Sequence, residues 1–387
     1  TLAIYIDLSK VYDTISHHKL LHKLEHEFNF TPQTTAFFAS YFRNRTQSTH
    51  TQHGQSRTQT ITHGIPQGST LSPTLFLLYI NDIITDTTHS NLYTYADDTT
   101  LIITAKSASD LDHIAQSSLN DLINYFYINK LVPNPKKTGY TVFYPKSHNS
   151  ELKISNKLIK PQTKTKLLGM FIQQDLKHSE TIKHIIKKLQ PIVHSLRYAN
   201  KILHPKTLTN QYFTHVYPHL IGNISIWGTD NRNKTYIQPL IRIHKRIIRL
   251  ICKANHRTHT APLMSRLKIL SITNLYILRT TTEMHPFIHN KTQHNRPDHI
   301  HQYIPTSDIH SYPTRYSGRR KNHIPSNSKK QRNKMNPFAR EYSRVWNELP
   351  DFLREIEDIE LFKRRLKIHL LAKQSGFQIP DQLLQSS

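Results

Sequence analysis

Three aspartates carry the chemistry this sequence is equipped to do. Asp7 closes the apolar run Leu2-Ala3-Ile4-Tyr5-Ile6, and Asp97-Asp98 sits between two short strand-like segments, residues 93–96 and 99–104. A carboxylate at the end of a buried strand, joined by others from a neighbouring hairpin, makes a site for a pair of divalent cations, hard ions that prefer oxygen ligands. Neighbouring residues on a strand point to opposite faces. Asp97 and Asp98 therefore reach one site only if a tight turn rotates one of them. Three clustered carboxylates repel one another, and a cation relieves that repulsion. Taken singly, Asp7 reads equally well as a capping residue and the pair as an Asp-rich turn.

Glycine is scarce, nine in 387 residues, yet two fall in His63-Gly64-Ile65-Pro66-Gln67-Gly68-Ser69. There the backbone is expected to turn or to pass close to another group. Pro66 fixes φ, and Ser69 is placed to cap the helix that follows. The bland reading is a loop and an N-cap, but the segment lies between the two acidic sites.

The elements that must position these residues follow from periodicity. Leu2–Ile6 is a short buried strand. Residues 17–28 and 33–45 have helical spacing, residues 46–63 form a polar hairpin around Gly54, and residues 69–84 form a buried helix. Residues 108–129 are amphipathic, with Leu111, Ile114, Leu119, Leu122 and Ile123 at helical intervals. Residues 138–144 and 166–173 are further strands, so residues 1–175 mix strands and helices as an α+β domain does.

From Ser179 onward the pattern is helical. In residues 236–253, Ile237, Leu240, Ile241, His244, Ile247, Ile248 and Ile251 share one face, and Arg242, Lys245, Arg246, Arg249 and Lys253 share another. The basic face is either solvated or a ridge along a nucleic-acid backbone, and the lack of interleaved acids favours the ridge. Residues 290–335 are rich in His, Asn, Ser, Pro and Lys and read as a basic linker. Its run from Arg315 to Lys334 is a phosphate-binding arm, a nuclear-targeting patch or a plain charged connection. A small helical module follows at residues 338–371.

Composition narrows the partners. Lys and Arg number 52 against 26 Asp and Glu, a formal charge of +26, which suggests a polyanion and nucleic acid first. Cys252 is the only cysteine. It excludes an internal disulfide or a cysteine-based zinc site and fits a reducing compartment, nuclear or cytoplasmic. No run of 18 apolar residues exists, so no helical membrane span is expected, and no signal peptide opens the chain. His18, His22 and His26 are spaced for zinc, but with 27 histidines chance spacing is the better account.

Tyr95-Ala96-Asp97-Asp98 resembles the signature tetrapeptide of reverse transcriptases, and Asp7-Leu8-Ser9-Lys10-Val11-Tyr12-Asp13 resembles their first catalytic strand. Gly64-Ile65-Pro66-Gln67-Gly68-Ser69-Thr70-Leu71-Ser72-Pro73, then Tyr79-Ile80-Asn81-Asp82, is similar to their template- and nucleotide-contacting loop and helix. Asn134-Pro135-Lys136-Lys137-Thr138 and Leu167-Leu168-Gly169 are similar to the next motif and to the primer-grip hairpin. The motifs fall in the family's order. Trp227-Gly228, Trp346-Asn347-Glu348-Leu349-Pro350 and Phe362-Lys363 resemble the tail of the non-LTR, LINE-type elements.

The resemblance implies an RNA-directed DNA polymerase that transfers nucleotides to a primer 3′-hydroxyl. Its partners would be an RNA template, a DNA primer and dNTPs. It implies that Asp7 and Asp97 hold two Mg²⁺ ions, with Mn²⁺ as the alternative, that Asp98 completes the acidic cluster and that the carbonyl of Leu8 is a further ligand. Tyr12 would lie beneath the sugar and exclude a 2′-hydroxyl. Gln67, beside Gly68, would contact the incoming nucleotide or template, and Lys137 would balance or protonate the departing pyrophosphate. Val11 departs from the small residue usual before the aromatic.

The implied organisation is a polymerase palm at 1–175, a helical thumb at 176–255, a helical extension at 256–290, the basic linker at 291–336 and a C-terminal helical module at 337–387. The chain enters its first strand at once, as if cut inside a domain, with fingers and endonuclease expected upstream. On that view the 387 residues alone polymerise poorly. Two other functions fit the same residues: a truncated, inactive remnant that only binds nucleic acid, and a two-metal nuclease.

Overall fold

Leu2-Ala3-Ile4-Tyr5-Ile6 offers apolar side chains to both faces of a strand, and a strand of that kind belongs inside a sheet. In a computed structural model of the chain it is β1 (Leu2–Ile6), buried along its whole length. The structure describes residues 1–86, 91–143, 151–228, 234–289 and 337–376. They fall into two compact units, residues 1–167 with 172–176, and residues 168–171 with those from 177 on.

In the first unit β1 is followed by α1 (Val11–Thr14), α2 (His17–His26) and α3 (Pro32–Phe42). Ser16 and Thr31 cap the last two through side-chain oxygens that accept from Lys19 N–H and Thr34 N–H. The polar hairpin forms as two short pairings, β2 (Thr46–Gln47) with β5 (Gln59–Thr60) and β3 (His50–Thr51) with β4 (Gly54–Gln55). The buried helix α4 (Ser72–Ile80) starts three residues later than periodicity suggests. Ser69 is not its cap: its oxygen meets Tyr41 Oη at 2.9 Å, and the N-cap position belongs to Leu71, which has no capping side chain.

β6 (Asn91–Tyr95) and β7 (Asp98–Ile103) form the hairpin around Asp97, and α5 (Ala108–Ile128) packs behind them with Leu111, Leu119, Leu122 and Phe126 buried. β8 (Gly139–Val142), β9 (Lys153–Ile154), β10 (Lys157–Leu158), β11 (Lys160–Pro161), β12 (Lys164–Leu167) and β13 (Met170–Gln173) follow. The main sheet has the order β11-β8-β1-β7-β6, antiparallel except for β11 beside β8. The strand expected at 166–173 is a hairpin, because Leu168 and Gly169 take φ of 45° and 83° and reverse the chain.

From residue 177 on, the second unit is helical among its described residues. α6 (Ser179–Ile202), α7 (Pro205–Gln211), α8 (Tyr217–Ile221), α9 (Ile224–Trp227), α10 (Lys234–Ile251), α11 (Thr260–Arg266) and α12 (Ile272–Ile288) are joined by α13 (Pro337–Asn347), α14 (Asp351–Arg354) and α15 (Ile359–Ser375). A π-helical turn, Tyr212–Val216, links α7 to α8. One apolar core takes Leu189 from α6, Ile247, Ile248 and Ile251 from α10, Trp346 from α13 and Phe362 from α15. Polar ties reinforce it: Asn274 Nδ2 donates to the Leu370 carbonyl at 3.1 Å, and Gln374 Nε2 donates to that of Ile269 at 3.2 Å. The basic linker expected at 291–336 lies outside the described residues.

Candidate active site

The acidic site is assembled by strand register. β1 and β7 pair with Ile6 opposite Thr99, so Asp7 and Asp98 occupy the next facing positions of the same two strands. β6 and β7 close with Tyr95 opposite Asp98, leaving Ala96 and Asp97 as a two-residue turn. Ala96 takes φ of 51°, a left-handed conformation that costs an L-residue about 1–2 kcal/mol. That turn is the rotation Asp97 needs to leave the pleat of Asp98. The three carboxylates sense one another: the Asp98 carboxyl is pushed above its ordinary value by burial first, then by Asp97 and Asp7.

Asp7 is fixed from both sides by the segment that follows α5. Its N–H donates to Thr138 Oγ1 at 3.3 Å, and its carbonyl accepts from Asn134 N–H at 2.8 Å. Leu8 bridges Pro133, and Ser9 N–H donates to the Val132 carbonyl at 2.8 Å. The hydrogen bonds of that bridge run through the flanking residues Asp7 and Ser9, as in a non-hydrogen-bonded antiparallel pair, and make no use of the Leu8 carbonyl. Lys137 stands 3.5 Å from Asp7 Oδ2, with its side chain 68% exposed. Asp7 Oδ2 is itself buried and accepts no hydrogen bond. A carboxylate oxygen buried without a donor, inside a cluster of like charge, is a group that gains from a cation.

Among the described residues no three His, Cys, Asp or Glu side chains converge as a ready-made metal cage. Mg²⁺ is usually held by one or two carboxylates plus waters and substrate phosphates. The oxygen donors of Asp7, Asp97 and Asp98 fit a hard divalent ion in this sense. The rings of His22 and His26 stack with centres 4.2 Å apart.

The glycine loop is clamped to the chain just after Asp7. Gly64 N–H donates to the Ile15 carbonyl and Ile65 N–H to the Tyr12 carbonyl, both at 2.7 Å. Gly64 has φ of 90°, and a Cβ there would lie 3.0 Å from Asp13 Cα, Asp13 O and Tyr12 O. Gln67 Nε2 donates to Asp13 Oδ1 at 3.2 Å, and Ser72 Oγ donates to the Pro66 carbonyl at 2.7 Å. Gly68, at φ 86°, has open space around it. Tyr12 is half-buried, its ring 5.5 Å from that of Phe76.

Two contacts were invisible in the sequence. Lys23, almost fully buried, donates to both carboxylate oxygens of Asp82 at 2.7 Å and to the Tyr79 carbonyl at 2.9 Å. Tyr125 Oη donates to Asp82 at 2.5 Å. This network braces α2, α4 and α5 behind the sheet. Asp13 is the other contact, legible only as part of a motif until Gln67 is seen to reach it.

On α10, Arg242, Lys245 and Arg246 are exposed together, and Lys253 is exposed just past its end. Arg249 is half-buried, and its Nε donates to the Thr258 carbonyl at 2.9 Å. It holds the turn after the helix as well as lying on the basic face. His244, on the opposite face, is buried and meets Tyr212 Oη at 2.9 Å.

A small antiparallel sheet that presents three carboxylates at one end, with a glycine-hinged loop clamped beside them, is the layout of a polymerase palm. The family model described as "Reverse transcriptase (RNA-dependent DNA polymerase)" matches residues 1–172. Two proteins of Drosophila melanogaster are similar. "Probable RNA-directed DNA polymerase from transposon BS" is 22% identical over 236 residues, covering 58% of this chain and 26% of that protein. "RNA-directed DNA polymerase from mobile element jockey" is 25% identical over 189 residues, covering 47% of this chain and 20% of that protein. The matched stretches thus span about a quarter or less of those relatives' own length. A Candida tropicalis telomerase solved with a fragment of telomeric RNA is 13% identical, with a TM-score of 0.39, over 99% of this chain and 48% of that one. That score by itself defines no shared fold. Residues 1–172 are thus similar to reverse transcriptases, and the two similar proteins are by name RNA-directed DNA polymerases of a transposon and a mobile element. The family works with divalent metal ions. Among the described residues no helix is long and apolar enough to cross a membrane.

Proposed function

We propose that the chain carries the catalytic palm of an RNA-directed DNA polymerase of a non-LTR element and extends a DNA primer on an RNA template. One observation supports this reading: Asp7 and Asp98 fall at neighbouring ends of paired strands with Asp97 in the turn beside them, and Asp7 keeps a buried oxygen that accepts no hydrogen bond. When bound, divalent ions supply charge neutralisation at the triphosphate and a lowered pKa for the attacking hydroxyl. Asp7 and Asp97 would hold them, the Leu8 carbonyl adding a ligand and Asp98 adding negative field.

The protein's own groups do the rest. Tyr12, packed on Phe76 and bonded through its carbonyl to Ile65, stands where a 2′-hydroxyl would be refused. Gln67, held by Asp13, orients the nucleotide or the template base opposite it. Lys137 neutralises Asp7 while the site is empty of substrate and is free to turn its exposed ammonium toward departing pyrophosphate. Arg242, Lys245, Arg246, Arg249 and Lys253 supply phosphate contacts along the nucleic acid. Action inside the cell, in nucleus or cytoplasm, belongs to the same reading.

The test is primer extension on an RNA template with dNTPs and Mg²⁺. Asp97→Asn is expected to abolish incorporation while RNA binding, followed by fluorescence anisotropy, stays within twofold. Incorporation that persists in Asp97→Asn, or strand cleavage without dNTPs that Asp97→Asn removes, would overturn the polymerase reading.

A further inference from the structure

Beside the glycine loop, and on the first unit alone, lies a cavity of about 590 Å³ walled by Asp13, Arg45, Gln47, His63, Gly64 and Gln67 among others. Its basic wall is built. The Arg45 guanidinium lies 5.2 Å from the centre of the Tyr41 ring, and Tyr41 is anchored in turn by the hydrogen bond of its hydroxyl to Ser69 of the loop. Arg45 is half-buried, and its carbonyl accepts from Ile61 N–H at 2.8 Å, yet its guanidinium makes no ion pair or hydrogen bond among the described residues. A guanidinium fixed over an aromatic face with its donors unused is organised in advance for a planar, two-pronged contact with an anion.

The positive charge is shared. Arg45 and His63 both disfavour a proton on His17, after the larger effect of burial, while the Gly64 carbonyl, 2.6 Å from His17 Nε2, works the other way. Basic groups thus crowd around Gly64 as the carboxylates crowd around Asp7. The acid on the cavity wall, Asp13, takes the Gln67 amide. Gln47, which brings the β2–β5 pairing to the cavity wall, carries no charge.

We infer that this cavity binds a backbone phosphate of the nucleic-acid strand that passes the glycine loop, with Arg45 as the principal contact and Tyr41 as its positioning residue. The inference rests on the nucleic-acid reading above and adds to it a site away from the carboxylates. A triphosphate offers the same chemistry as a backbone phosphate, so the test separates the two.

The experiment measures binding of the full chain to a fluorescein-labelled single-stranded RNA across a salt series, for wild type, Arg45→Gln, Arg45→Lys and Arg43→Gln. Arg43 is exposed, two residues away, and does not line the cavity. Arg45→Gln is expected to weaken binding about five- to tenfold and to lower the slope of log affinity against log salt by about 0.7, one phosphate on a single strand. Arg45→Lys keeps the charge but loses the fork, and falls between. Equal losses in Arg43→Gln and Arg45→Gln would reduce the site to general surface charge and overturn it. A loss seen with a fluorescent dNTP but not with RNA would also overturn it. Wild type that fails to bind RNA at all sinks the broader reading along with this one. Circular dichroism melting of each variant keeps a folding defect from passing as a binding defect.

Discussion

Gly64→Ala separates two kinds of backbone constraint that this loop contains. Both loop glycines have positive φ, 90° at Gly64 and 86° at Gly68. A side chain forced into such a conformation costs about 1–2 kcal/mol. Gly68→Ala meets that cost alone, because nothing lies within 4 Å of the added Cβ. Gly64→Ala adds a collision with three backbone atoms of Tyr12 and Asp13 at 3.0 Å, none of which can rotate away as a side chain would. Relief requires the loop to lift from α1, stretching the bonds from Gly64 N–H to Ile15 and from Ile65 N–H to Tyr12. At about 1 kcal/mol for each bond, Gly64→Ala is expected to destabilise the loop by about 3–4 kcal/mol, about 2 kcal/mol more than Gly68→Ala. Intrinsic fluorescence is the wrong probe, since Trp227 and Trp346 both belong to the second unit. Hydrogen exchange of peptides covering residues 10–20 and 60–75 reads the loop directly. Exchange there should be about thirtyfold faster in Gly64→Ala than in Gly68→Ala, the ratio that about 2 kcal/mol gives. Equal exchange in the two variants would show that Gly64 is needed only for its φ, and the clamp on Tyr12 would have to be given up.

Asp98→Asn is expected to raise the melting temperature of the metal-free chain at pH 7 by about a degree. The Asp98 carboxyl is raised in the folded state, so its favourable contribution exists below the ordinary carboxylate pKa and is lost as pH rises through the shifted value. The gain should vanish near pH 3 and shrink with Mg²⁺; a gain unchanged at pH 3 would remove the like-charge explanation. Lys137→Gln, which breaks an ion pair that is mostly exposed, should leave the melting temperature within a degree or so while lowering kcat for primer extension about tenfold at unchanged KM for dNTP. A rise in KM alone would make Lys137 a binding group. His244 is wholly buried and its pKa is lowered to about 4, by burial. It stays neutral in the fold while the unfolded chain takes up a proton below about pH 6.5, so stability is full above that pH and falls by about 3 kcal/mol as pH drops to about 4. Urea titrations followed by tryptophan emission at pH 7 and pH 4.5 should show this loss in wild type and not in His244→Phe/Tyr212→Phe. An equal loss in the double variant would assign the pH dependence elsewhere.

The strand ends and the turn that carry Asp7, Asp97 and Asp98 could be read from the sequence because each has a local signature. A five-residue apolar run ending in Asp7 and a Tyr-Ala-Asp-Asp turn between strand-like segments describe two strand ends, and β-pairing needs only register to bring them together. What the sequence lacked was the device that frees Asp97, since alanine carries no mark of the left-handed turn that Ala96 adopts. Lys137 shows a second limit. Its motif announced a basic group near the chemistry, but its contact with Asp7 depends on residues 132–138 docking along Asp7–Ser9. In the Lys23–Asp82–Tyr125 network only Asp82 lay in a motif; Lys23 and Tyr125 sit in ordinary helical patterns, and the three meet only through the packing of α2 and α5 against the turn after α4. Periodicity assigned the basic face of α10 correctly for Arg242, Lys245 and Arg246. It could not see that the chain turns back after Ile251, where Lys253 takes φ of 52° and Arg249 reaches the Thr258 carbonyl. Helical phase tells which residues share a face; whether a charge on that face is free for a ligand depends on where the chain goes next. The same distinction makes Arg45 the stronger candidate for a phosphate contact than Arg249: its guanidinium is held by an aromatic ring, and its hydrogen-bond donors remain available.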